Sequence, residues 1–166
     1  ALLRRIERAA IWAWPPVATR SVEGWLLCLG GFATRRLRSA RTLDFAPGAE
    51  LDGAIAEVER RLAERSWPAC FHITDLVAPA DLDARLAERG YEHLTPTSVL
   101  LRHPVDIASA DLSIELHTRA TQPVMNAIAD RLWSAEARAE RVAIFGRIVR
   151  PHRFALAWAE GEPAAG

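Results

Sequence analysis

Two hydrophobic periodicities alternate along this chain, and the order of alternation restricts its architecture more than any composition figure does. Leu3, Ile6, Ala10 and Ala13 recur at helical spacing until Pro15-Pro16 stops the pattern. A short apolar strand is predicted over Gly24 to Leu29. The pair Gly30-Gly31 suits a tight turn, and a second strand, about Thr34 to Leu43, is expected to pair back as a hairpin. After Gly48, a helical stripe of Leu51, Ile55, Val58 and Leu62 carries its charges elsewhere, on Glu57, Glu59, Arg60, Arg61 and Glu64. A strand follows over Ala69 to Thr74. Pro79 precedes a short helix with Leu82 and Leu86, capped by Gly90, and Leu94 to Arg102 reads as another strand.

Asp106 to Ala110 reads as a linker, and beyond it the order changes. A strand over Ile114 to Thr118 leads to two helices, about Pro123 to Trp133 and Ala135 to Val149, and then a strand over His152 to Ala159. A turn at Glu160-Gly161-Glu162-Pro163 follows, with a further strand beginning at Ala164-Ala165. The order predicts an α/β (α+β) fold: a mixed sheet flanked by helices, in two units, residues 1–105 and 106–166, the second incomplete.

Composition narrows the function classes. The 166 residues suffice for one domain or two small ones, and half are hydrophobic. The 21 basic and 21 acidic residues balance, so no general attraction to nucleic acid or membranes is expected. Every basic residue is Arg, which removes Lys as a nucleophile or Schiff base. With the heavy use of Ala, this suggests a GC-rich bacterial coding bias. Cys28 and Cys70 form no C-x-x-C motif and read as thiols of a reducing cytoplasm. No apolar run approaches the ~20 residues of a membrane span. Arg4, Arg5, Glu7 and Arg8 lie within the first helical pattern, so no secretory leader is expected.

The second unit, with its strand, two helices and the ending Phe154-Ala155-Leu156-Ala157-Trp158-Ala159-Glu160-Gly161-Glu162-Pro163-Ala164-Ala165-Gly166, resembles the opening of a GNAT-superfamily N-acetyltransferase. The first unit resembles the extra N-terminal half of tandem GNAT proteins. It does so through Trp14-Pro15-Pro16, Gly24-Trp25-Leu26-Leu27 and Gly30-Gly31-Phe32-Ala33-Thr34-Arg35-Arg36. Leu86-Ala87-Glu88-Arg89-Gly90-Tyr91 is similar to the family's L-Y-x-x-x-G-F. The resemblance implies acetyl transfer from acetyl-coenzyme A to a small-molecule or peptide amine, by direct attack and without metal. A base deprotonates the ammonium, a backbone N–H polarises the thioester and an acid reprotonates the thiolate.

Departures from the family pattern shape the expectation. Its phosphate cradle, R/Q-x-x-G-x-G/A, should precede the long helix of a working unit. Here that place holds Phe45-Ala46-Pro47-Gly48-Ala49-Glu50, with a Pro that lacks an N–H and an acid where phosphate would sit. The family's tyrosine acid would fall at Leu86. In the T-R-R-x-N-S-V stretch, Arg38 of Thr34-Arg35-Arg36-Leu37-Arg38-Ser39-Ala40 replaces Asn. The first unit is therefore expected to be a degenerate, non-catalytic half. The second is expected to be the start of a catalytic domain interrupted at Gly166, before its coenzyme motif.

Candidate residues follow from residue type and position. Glu115 alternates with Ile114 and Leu116 and suits a general base; its plainer alternative is a solvent-facing strand position. His117, at the strand end, suits a substrate-side base near neutral pH, or is simply a half-exposed His. Trp133 would wall the acceptor pocket or pack in the core. Arg36 and Arg38 share one face if their segment is a strand, and would form a positive patch for an acidic acceptor or the 3′-phosphate of coenzyme A. Alternatives are nucleic-acid binding or an edge charged against aggregation. His72, His93, His103, His117 and His152 show no metal-ligand spacing, and no Ser has the context of a hydrolase elbow. A competing function is a non-catalytic GNAT-derived binding or dimerisation module, with a homodimer as its natural form.

Overall fold

The computed structural model describes residues 2–31, 34–94, 96–100, 113–128, 133–159 and 162–165. Its elements are α1 (Leu2–Ala13), β1 (Ala18–Val22), β2 (Trp25–Leu29), a 3-10 turn (Arg35–Leu37), β3 (Ala40–Arg41), α2 (Leu51–Ala63), β4 (Phe71–His72) and α3 (Leu82–Glu88). After these come β5 (Ser113–His117), α4 (Gln122–Ile128), α5 (Ala135–Gly146), β6 (Phe154–Ala159) and β7 (Glu162–Ala165). The mixed α/β architecture expected from the alternating periodicities is the one observed. One sheet has the order β1-β2-β3-β4 and a second the order β5-β6-β7.

In the first sheet β1/β2 and β2/β3 are antiparallel, while β3 and β4 run parallel and are joined through α2. The hairpin differs from the predicted one. It is formed by β1 and β2, closed where Val22 pairs with Trp25 across Glu23 (φ 45°) and Gly24 (φ 91°). Two successive positive φ values are the turn that matches strand twist. A Cβ on Gly24 would meet the Ala46 backbone N at 3.0 Å, so this position requires glycine.

The core forms between this sheet and α2. Trp25, Leu27 and Leu29 of β2 and Ala40 of β3 meet Ala54, Ile55, Val58 and Leu62, with Leu82 and Leu86 of α3 closing one end. The stripe read from spacing is the buried one. Trp25 is fully buried between Phe45 and Phe71, and its Nε1–H donates to the Ala78 carbonyl at 2.6 Å. That bond satisfies the indole donor within the core.

Other segments depart from expectation. Thr34 to Leu43 is not one strand. Thr34 Oγ1 accepts from the Arg36 N–H and starts the 3-10 turn, leaving only Ala40 and Arg41 to pair. Residues 94 and 96–100 carry no strand, and Val99 and Leu100 are exposed. The linker at 106–110 and the 105/106 division lie outside the described residues.

The second sheet is antiparallel throughout. The hairpin read from the chain's last residues is present as β6 and β7, and Pro163 sits on its edge strand, where a missing N–H is tolerated. Val124 and Met125 of α4, Ile144 of α5 and Leu156 of β6 are buried. The end of α1 reaches this unit. Trp14 stacks edge-on to Phe145 at 5.4 Å, and Arg147 donates to the Pro15 carbonyl at 3.1 Å.

Candidate functional site

Antiparallel register decides which side chains share a face, because residues directly opposite each other project the same way. Ser113 pairs with Trp158, Glu115 with Leu156 and His117 with Phe154. These six residues form one face of the second sheet. Leu156 is buried there, and Phe154 packs edge-on against Phe145 of α5 at 5.1 Å, so this is the helix-covered face. Ile114 and Leu116 lie on the opposite face.

Glu115, read from alternation, and His117, read from the strand end, therefore share a face. His117 Nε2 lies 3.3 Å from Glu115 Oε2, with the His side chain 25% exposed and the Glu 52%. Nε2 is itself buried and makes no aligned hydrogen bond. The contact is at ion-pair distance without hydrogen-bond alignment. The same region holds two more buried polar atoms without partners, Trp158 Nε1 and Thr121 Oγ1. Buried donors and acceptors without partners are uncommon.

Trp158 and Thr121 are not among the candidates read from the sequence. The parity of β6 is the signal that finds Trp158, once the register with Glu115 is known. Thr121 leaves no comparable pattern: it simply precedes α4, where its carbonyl accepts the Met125 N–H at 2.8 Å.

The remaining candidates fall elsewhere. Trp133 lies just before α5, outside any helix, and the Arg141 guanidinium sits 3.6 Å from its ring centroid. Its π face is thus engaged in a cation–π contact. Arg36 and Arg38 belong to the first sheet's region. Arg36 is in the 3-10 turn and Arg38 caps it, with its guanidinium 5.7 Å from the Trp67 ring. The predicted common strand face does not exist, because the turn breaks the two-residue alternation it required.

The loop before α2 is a fit test for a phosphate group. A cleft of about 580 Å³ opens there, lined by Pro47, Gly48, Glu50 and Asp81 among others. Glu50 takes the N-cap position without a side-chain cap bond. Two carboxylates and a proline at a helix N-terminus do not suit a pyrophosphate. Burial raises the thiols of Cys28 and Cys70, contrary to what a thiolate nucleophile needs. Among the described residues no cluster of His, Cys, Asp and Glu is arranged to hold a metal ion, and no helix is long and apolar enough to cross a membrane.

Comparison with known proteins adds to this geometry. The chain is 33% identical over 90 residues to the uncharacterized N-acetyltransferase YobR of Bacillus subtilis (strain 168). The match covers 54% of this chain and 35% of the relative, so the chain spans well under half of that protein. No solved structure matches the chain significantly. The family model described as probable histone acetyltransferase Rv0428c C-terminal matches residues 1–159, and the chain belongs to this family of GNAT-type N-acetyltransferases.

Proposed function

We propose that the chain belongs to an acetyl-coenzyme A-dependent N-acetyltransferase, acting in the cytoplasm on a primary amine. The match to an acetyltransferase family across residues 1–159 carries this reading. The family description names a histone acetyltransferase, so a Lys-containing basic peptide is the first acceptor to test, with small amines beside it.

The roles proposed for this chain's residues follow from the second sheet. His117 takes the proton of the acceptor ammonium, and Glu115, at 3.3 Å, stabilises the imidazolium that results. The Trp158 N–H offers a polar contact on the same face of the sheet. The cleft before α2 does not suit the donor's phosphates, and the sequence has no R/Q-x-x-G-x-G/A segment. Donor binding is therefore assigned to residues outside this chain.

The test measures thiol release from acetyl-coenzyme A with Lys-containing peptides and small amines, on the full-length protein. His117→Ala should lower kcat by about 10²-fold or more, the usual contribution of a positioned base, and Glu115→Gln should lower it by less. No melting-temperature rise with acetyl-coenzyme A would sink the reading. The exposed Ile114 and Leu116 favour a second reading, a GNAT-derived binding or dimerisation module without catalysis. It predicts normal assembly with no turnover.

A further inference from the structure

The first sheet has a second covered face, and its chemistry is unlike the core's. Leu26 of β2 pairs with Arg41 of β3, which pairs with His72 of β4, so these three side chains cross the sheet in one row. They project away from α2, toward α1. Glu7 of α1 stands over the row, with Oε2 3.8 Å from both Arg41 Nη1 and His72 Nδ1. No residue of α1 is fully buried, so the helix lies over this face without sealing it. A cleft of about 340 Å³ remains, walled by Ile11, Trp12, Leu26 and Leu43, with Arg41 in its lining and Arg8 at its mouth.

Arg41 is the anomaly. Its side chain is only 3% exposed, yet Nε has no hydrogen-bond partner and the nearest carboxylate lies beyond hydrogen-bond distance. Burial disfavours the guanidinium charge, the Cys28 thiol and Glu7 offset this in part, and the buried Nε–H is left without a partner. Arg36 adds like charge, and burial holds His72 at a pKa of about 4, neutral at pH 7 despite its proximity to Glu7. Asp44, at the rim, is already bonded to Arg4 and Arg8.

We propose that this cleft binds a small organic carboxylate, its head paired with Arg41 and its apolar body against Ile11, Trp12, Leu26 and Leu43. The planar fork of an Arg matches a carboxylate's two oxygens, and the cleft volume lies in the range of small-ligand sites. Apolar walls beside the unpartnered Arg41 Nε–H select a monoanion with a hydrocarbon body over a phosphate, which demands more donors. Trp12 is held by Arg150, whose guanidinium is 4.2 Å from its ring centroid, so the wall is in place before the ligand arrives. The site is on the first sheet and stands independently of the reaction proposed for the second.

The experiment titrates the protein with sodium benzoate and sodium hexanoate, and with benzyl alcohol as the uncharged control. Binding is followed by calorimetry and by the Arg Nε–H resonances in NMR. Both carboxylates should saturate and shift the Arg41 resonance, and benzyl alcohol should not. Arg41→Met should weaken carboxylate binding by about tenfold or more, the loss of a charge-assisted pair. Trp12→Ala, an exposed position that leaves the fold intact, should weaken benzoate severalfold and supplies the test if Arg41→Met does not fold. The proposal is overturned if neither carboxylate saturates, if benzyl alcohol binds equally, or if neither variant changes the affinity.

Discussion

The two sheets differ in how their faces are covered. In the first, α2 packs on one face and α1 on the other, and β2 and β3 are buried almost throughout. In the second, helices cover the face of Glu115, Leu156 and His117, while Ile114 and Leu116 on the opposite face are 62% and 67% exposed. The doubly covered sheet holds nearly all of the large apolar cluster. The singly covered one holds the acid–imidazole pair and most of the orphaned polar atoms. Stability and candidate chemistry thus reside in different parts of the chain, and each can be altered with limited effect on the other.

The largest expected effect tests the first half of this contrast. Trp25→Ala removes a fully buried ring and its 2.6 Å bond to Ala78, and should destabilise the protein by about 3–5 kcal/mol in urea unfolding. A loss below about 1 kcal/mol, the ordinary effect of a point substitution, would show that the first sheet is not the stability centre.

A smaller effect compares the two longest helices after α1. The first turn of α2 has no side-chain cap, and the helix is held by the buried stripe of Ala54, Ile55, Val58 and Leu62. Only Ile144 of α5 is buried, but Ser134 Oγ accepts the Ala137 N–H at 3.2 Å. Ser134→Ala should therefore lower stability by about 1 kcal/mol. An unchanged midpoint would mean that packing, not capping, also holds α5.

Legibility in the sequence follows the same division. The stripe of α2, the apolar run of β2 and the hairpin of β6 and β7 were readable because local periodicity and turn residues specify them. The strand β1 was not, since Ala18, Thr19, Arg20 and Ser21 are exposed and offer no apolar alternation. It exists through its pairing with β2 and the Glu23-Gly24 turn. The sequence 94–100 has strand-like Val99 and Leu100, yet no neighbouring strand pairs with it among the described residues. Glu115 was legible as a candidate from alternation along β5 and His117 from its place at the strand end, and the pairing with β6 puts both on one face. Trp158 and Arg41 depend on register between strands distant in sequence, and a buried Arg contradicts the residue's usual place at the surface. The Arg36–Arg38 patch failed for a related reason: Thr34 starts a 3-10 turn, which replaces period two by period three.

The smallest expected effect bears on the bare face itself. Leu116 is 67% exposed, so Leu116→Thr removes little buried area and introduces a β-branched residue suited to a strand. The change in unfolding free energy should stay within about 0.5 kcal/mol, as for surface substitutions generally. Ile114→Thr, on the same face, should behave alike, and the two should add because neither removes a packed contact. A combined loss of about 2 kcal/mol or more would carry the signature of buried side chains. The face would then be covered in solution, the two sheets would be equivalent in that respect, and the exposed surface that favours a binding or dimerisation role would be an occupied one.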